Sequence, residues 1–244
     1  MPSAAPENVS VVSWSGETFR LIPSRFPPVN VYEGLIANDR QEEIVAVENL
    51  TNPRLRSLNR FQQNAPGDVS TDPLLQNWNL APFAYGNPDG SIFFGEDRPC
   101  LEVALERQTA LAVSVSRRQA FLEATNEQPI GVDMRMLCTP VDGKFWDLRG
   151  IKGSLTTFSK HQLHELGSKL PAGAQGILYH PSERPAGTCL SIVTGEVLQR
   201  AQQTVHFRYM WAGNCISQLY ALDKQVTPIR AEALAGENDV IAVA

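Results

Sequence analysis

Arg20 stands in Glu17-Thr-Phe-Arg-Leu-Ile-Pro23, a short strand-like run with apolar residues on both sides of the guanidinium. A cation so placed needs a counter-charge. It forms an ion pair, snorkels to the surface, or receives a phosphate or carboxylate through its two-pronged donor fork. A second gathering of polar groups lies between the apolar runs Gly176–Tyr179 and Thr188–Val193, where His180, Pro181, Ser182, Glu183 and Arg184 fill a turn. Strand-held loops are where chemistry collects, although the same pattern also makes an ordinary surface connection. His161 and His164 share one turn of an expected helix, and with no further His or Cys nearby they are too poor a set for zinc.

Standard constellations do not occur. There is no P-loop, no G-x-G-x-x-G after a strand, no G-x-S-x-G elbow, no H-E-x-x-H and no EF-hand loop. The formal net charge of −5 argues against a general phosphate-binding surface and against direct nucleic-acid binding. No apolar run approaches the roughly 20 residues that span a bilayer, and no secretory signal is readable. Cys100, Cys138, Cys189 and Cys215 are widely spaced without a C-x-x-C pair, which fits reduced thiols in a cytoplasmic protein.

The elements that must position these groups follow from periodicity. Residues 1–15 read as a flexible tail, 16–224 as one domain and 225–244 as a C-terminal extension. Asp39 with Glu42 forms a capping box for a helix ending at Pro53, and residues 54–88 read as a long irregular connection. Short strands are expected at 91–94 and 100–104, then a core-facing helix over 106–124. Ile130 to Cys138 alternates with period two, and a separate strand is expected at 144–148. A serine-capped helix covers 159–170, and Val205–Trp211 with Cys215–Leu222 forms a closing hairpin around Gly213-Asn214. Strands outnumber helices without regular interleaving, so the fold class is α+β, a single domain with a mainly antiparallel sheet and flanking helices.

Several segments, in order, resemble one family. They are Phe19-Arg-Leu-Ile-Pro-Ser-Arg-Phe-Pro-Pro28, Glu48-Asn-Leu-Thr-Asn-Pro-Arg-Leu-Arg56, Leu80-Ala-Pro-Phe83, Asn87-Pro-Asp-Gly-Ser91, Arg118-Gln-Ala-Phe-Leu-Glu-Ala-Thr125, Val132-Asp-Met-Arg135, the Tyr179 stretch and the hairpin from Phe207 to Leu222. Together they resemble the RES-domain family. That resemblance implies an ADP-ribosyltransferase-like fold, a toxin of a bacterial toxin–antitoxin pair that consumes NAD, and a helix-turn-helix antitoxin as partner.

Carried over residue by residue, the first family Arg falls on Arg20. The second, after Gly90-Ser91, falls on Ile92; the Tyr falls near Glu102, the helix Glu on Val113, and the Ser on Pro181, or on Ser182 after a one-residue slip. The resemblance therefore implies Arg20, Glu102 and Ser182 as the catalytic set, Arg20, Ser91 and Tyr179 as the nucleotide contacts, and a site altered from the family pattern. Glu102 reads either as a relocated carboxylate or as an exposed charge on an edge strand.

Overall fold

The computed structural model describes residues 10–24, 81–83, 87–151, 155–222, 226–238 and 240–241. The helix expected from the Asp39–Glu42 box, and all of the 54–88 connection except residues 81–83, 87 and 88, lie outside the described residues. In chain order the strands are β1 (Val11–Pro23), β2 (Leu101–Ala104), β3 (Ile130–Asp147), β4 (Gly176–Tyr179), β5 (Cys189–Ile192), β6 (Gln202–Trp211), β7 (Ile216–Leu222) and β8 (Val226–Arg230). Helix α1 (Arg107–Ala124) lies between β2 and β3, and α2 (Lys160–Ser168) between β3 and β4. The strands form one sheet in the order β1-β2-β5-β4-β3-β6-β7-β8, and β1 also pairs with β3. Its pairings are antiparallel except β3 with β4, as expected for an α+β domain.

The extra β1–β3 pairing closes five strands into a ring. Alternate side chains enter it: Leu101 and Val103 from β2, Leu190 and Ile192 from β5, Leu178 from β4, Val141 and Phe145 from β3, with Val12 and Trp14 of β1 packed against them. Because side chains alternate along a strand, the intervening residues face the other way. Ala104, Cys189, Ile177, Tyr179, Phe19, Met134 and Met136 join Leu111, Val115 and Leu122 of α1 in the larger core. The ring is closed unevenly. β1 is held to β3 from Val11 opposite Trp146 to Pro23 opposite Met134, yet it meets β2 only at Phe19 opposite Ala104.

Local chemistry explains α2 and the hairpin. Ser159 Oγ accepts from Gln162 N at 3.3 Å while Gln162 Oε1 accepts from Ser159 N at 2.8 Å, the reciprocal cap expected from the serine. Gly213 at φ 95° turns β6 into β7, a conformation glycine adopts without Cβ strain.

Four expectations change. The strand around Arg20 begins at Val11, so residues 11–15 belong to β1 and not to a tail. The run 91–94 is a loop in which Ser91 N donates to Phe94 O at 2.7 Å and Phe94 N to Ser91 Oγ at 3.1 Å, burying Phe93 and Phe94. The strands expected at 130–138 and 144–148 are one strand, because Thr139, Pro140 and Val141 continue the pairing with Thr18, Glu17 and Gly16. Within 225–244, β8 completes the sheet.

The segment after β8 is strapped to the domain. Buried Gln108 of α1 donates through Nε2 to the carbonyls of Leu234, Gly236 and Asn238 at 3.1, 3.2 and 3.1 Å, and its Oε1 accepts from Val240 N at 2.8 Å. Buried Arg184, from the β4–β5 loop, donates to Gly236 O, Glu237 O and Thr109 Oγ1. That loop lies tight on α1: a Cβ at Gly187 would come within 2.0 Å of Thr109 Oγ1.

Candidate active site

Where β1 and β2 part company beyond Phe19 and Ala104, a cleft opens between them. One stripe of α1, running from buried Ala110 to exposed Phe121, forms one wall, since Ala110, Val113, Ser114, Arg117, Arg118 and Phe121 recur at helical spacing. The cleft has two lobes. The smaller, about 270 Å³, also takes Phe19, Val103, Met134, Tyr179 and Cys189 as lining. The larger, about 720 Å³, runs under Ser91, Ile92, Arg98, Cys100, Lys160 and Leu163. Arg20, Leu21, Glu102 and Arg117 line both.

Glu102 is fixed by its position in the sheet. Its partner across the β2–β5 ladder is Ser191, so the two side chains project from the same face, and Ser191 Oγ donates to Glu102 Oε1 at 2.8 Å. From β4, the next strand over, Tyr179 donates its hydroxyl to Oε2 at 3.0 Å. Arg117 of α1 donates to the same oxygen at 2.6 Å. These three donors from three elements, with the Cys100 thiol 3.9 Å from Oε1 as a weaker fourth, hold one carboxylate whose side chain is 11% exposed. Burial, then the neighbouring Glu102 charge, pushes the Tyr179 hydroxyl well above its ordinary value, so it stays protonated and remains a donor. Burial lowers Arg117, but the charges and hydrogen bond around it, those of Glu102 foremost, together outweigh burial and hold the guanidinium above its usual range. Phe93 packs edge-on to Tyr179 at 5.0 Å between ring centroids, locking the ring that carries the hydroxyl.

Arg20 is the opposite case. Burial first, and then repulsion by Arg117, lower it to about 10. It is therefore charged at neutral pH, and among the described residues it has no ion-pair partner. A desolvated, unpaired guanidinium facing a cavity is a receptor for an anion. The nearby Cys100 thiol is pushed up to about 12, by burial and then by Glu102, and stays protonated.

The structure brings together Arg20, Glu102 and Tyr179, and places Ser91 on the rim of the larger lobe. It does not bring Ser182 to them. Ser182 is exposed, donates to Glu183 at 2.9 Å, and is absent from the lining of either lobe. The serine at the carboxylate is Ser191, and Arg117 is the cation beside it. The signal for Ser191 lies in the sequence: a lone hydroxyl within Cys-Leu-Ser-Ile, a fully buried run, must find a hydrogen-bond partner. His164 serves the architecture, its Nε2 lying 3.1 Å from Ser91 O and tying α2 to the loop that roofs the larger lobe.

Among known proteins, y4oC of Sinorhizobium fredii, an uncharacterized protein, is 52% identical over 235 residues, covering 95% of this chain and 99% of its own length. Among solved structures, a chain of the M. tuberculosis MbcT-MbcA toxin-antitoxin complex superposes with a TM-score of 0.41 at 12% identity, over 83% of this chain and 87% of that chain. The RES domain family model matches residues 73–212, which takes in β2 to β6 and with them Glu102, Arg117, Tyr179 and Ser191. With more than half of its length matched, the chain belongs to the RES domain family.

Proposed function

We propose that this protein consumes NAD by cleaving the bond between nicotinamide and ribose in the Arg20–Glu102 cleft, and that it acts as the toxin of a cytoplasmic toxin–antitoxin pair held in check by a helix-turn-helix antitoxin. RES-domain proteins as a family use NAD, and the single observation carrying the reading here is that the fixed carboxylate of Glu102 and the unpaired guanidinium of Arg20 line the same cleft. In the reaction the C1′–N1 bond breaks and its electron pair stays on the pyridine nitrogen, so nicotinamide leaves neutral. Positive charge builds on the ribose. A carboxylate already oriented by Ser191, Tyr179 and Arg117 stabilises that charge without reorganising. Arg20 holds the diphosphate through charge-assisted hydrogen bonds. Water then adds to C1′ and releases a proton to solvent, giving ADP-ribose; an acceptor hydroxyl in place of water gives ADP-ribosyl transfer.

In this reading the site departs from the family pattern. Val113 stands where the helix carboxylate is expected and lines the same lobe as Glu102, so the carboxylate has moved from α1 to β2. Val113 and Ile92 also favour a second reading, a RES-like protein that binds the nucleotide or a protein partner without turning NAD over. One measurement separates them. Purified protein incubated with NAD releases nicotinamide above a buffer control under the first reading; binding by calorimetry with no release overturns it in favour of the second.

A further inference from the structure

The cleft is far more basic than the chain that carries it. Among the described residues, Arg20, Arg98, Arg117, Arg118 and Lys160 line its two lobes against one carboxylate, Glu102, on a protein of formal net charge −5. A dinucleotide with two phosphate charges and a cationic pyridinium leaves much of that field unanswered. Arg20 and Arg117 stand where the lobes meet, so a diphosphate held there leaves Arg98 and Lys160 at the wall of the larger lobe for another group. Their present contacts do not exhaust them. Arg98 lies over the Phe94 ring, 5.0 Å from its centroid, which occupies the face of the guanidinium and leaves its in-plane N–H donors. Lys160 donates to the carbonyl of Asp89 and retains two further donors. The lobe's volume of about 720 Å³ falls within the usual range for a small-molecule site.

We infer that the larger lobe is built for a dinucleotide that carries an additional phosphomonoester, with Arg98 and Lys160 as the residues that read it. The chemistry is that of a 2′-phosphorylated adenosine, whose extra dianion is recognised elsewhere by an arginine near the ribose. This rests on the nucleotide reading above and sharpens it: the preferred substrate is NADP, with NAD the weaker one. Arg98 and Lys160 approach from separate elements, the loop before β2 and the first turn of α2. Both line the same lobe, and on this inference each contributes one charge-assisted contact to the phosphate.

The test compares paired ligands that differ only in that phosphate. Calorimetry with ADP-ribose and 2′-phospho-ADP-ribose, at about 0.1 M salt so that surface charge is screened, reads binding; nicotinamide release from NAD and NADP reads turnover. The wild type binds the phosphorylated ligand about tenfold or more tightly, the size of one charge-assisted hydrogen bond. In the Arg98→Met, Lys160→Met double variant, with its fold checked by melting, that ratio falls to about threefold or less. A wild-type ratio at or below one, no measurable binding of either ligand, or an unchanged ratio in the folded double variant overturns the inference. Failure of the functional reading looks different: neither dinucleotide releases nicotinamide while the binding ratio stands.

Discussion

Glu102 and Ser191 face each other across the β2–β5 ladder and are joined by a 2.8 Å hydrogen bond, so the position of the carboxylate in the cleft is set by strand register and not by a loop. Glu102→Gln keeps a similar shape and removes the charge. Turnover is expected to fall by about a hundredfold or more, the usual effect of deleting one preorganised electrostatic group, while ADP-ribose binding survives. Nicotinamide release measured beside calorimetry checks both halves.

Ser191→Ala and Ser182→Ala discriminate between the two serines. Removing Ser191 takes a hydrogen bond from a charged acceptor and should cost about tenfold or more in turnover. Ser182 is exposed and bonded only to Glu183, so its replacement should change turnover by about twofold at most. Steady-state rates of the two variants side by side provide the comparison.

Arg20→Met should act with opposite signs on stability and on binding. In the free protein the substitution removes a desolvated cation whose charge is disfavoured by burial and by Arg117, so the melting temperature holds or rises. Affinity for ADP-ribose drops by about tenfold or more, because the anion loses its charge-assisted donors. A fall in both quantities would show that Arg20 is a structural cation.

Thiol reactivity reports the electrostatics of the cleft. Cys100 is pushed up to about 12 by burial and by Glu102, and burial followed by Glu102 also raises Cys189. A raised thiol is protonated at every pH below its folded value, so neither residue should react with iodoacetamide at about pH 8 in the native protein. Both should label after denaturation, as peptide mass spectrometry would show.

Gln108→Ala should loosen the strap. It leaves the carbonyls of Leu234, Gly236 and Asn238 and the N–H of Val240 without their side-chain partner, at a cost of about 2–3 kcal/mol. For a chain of this size that lowers the melting temperature by about 4–12 °C. Early proteolytic cleavage within residues 231–240 is the accompanying readout.

Part of this cleft was legible through the family resemblance, which is how Glu102 and Tyr179 enter, and part through the residues themselves. Arg20, among apolar neighbours, stands out before any fold is known. Arg117 does not: on a helix it looks like any arginine on a solvated face, and only β2 packing beneath α1 gives it a carboxylate. The family resemblance leads to Ser182 in the polar turn after Tyr179, whereas Ser191, one hydroxyl inside a strand, is not singled out by it. The length of β3 was hidden by Pro140 and Gly143, which ordinarily punctuate strands. Here the long pairing with β1 carries the chain through both. Pro228 hid β8 in the same way, though proline is tolerated in an edge strand, where one side of the backbone has no partner to lose.

That β1 pairs with β2 at one position bears on how the protein is made. Arg20 is held in place through β3, opposite Leu137, more than a hundred residues along the chain. Closing so long a loop is entropically costly and slow. The short-range α1 and the β6–β7 hairpin can form early, but Arg20 and Glu102 come to line one cleft only once β1 has registered against β3. A nascent chain that has emerged no further than α1 has both charges and no cleft, so on the proposed reading a cell meets the enzyme's chemistry only after the larger part of the fold is complete.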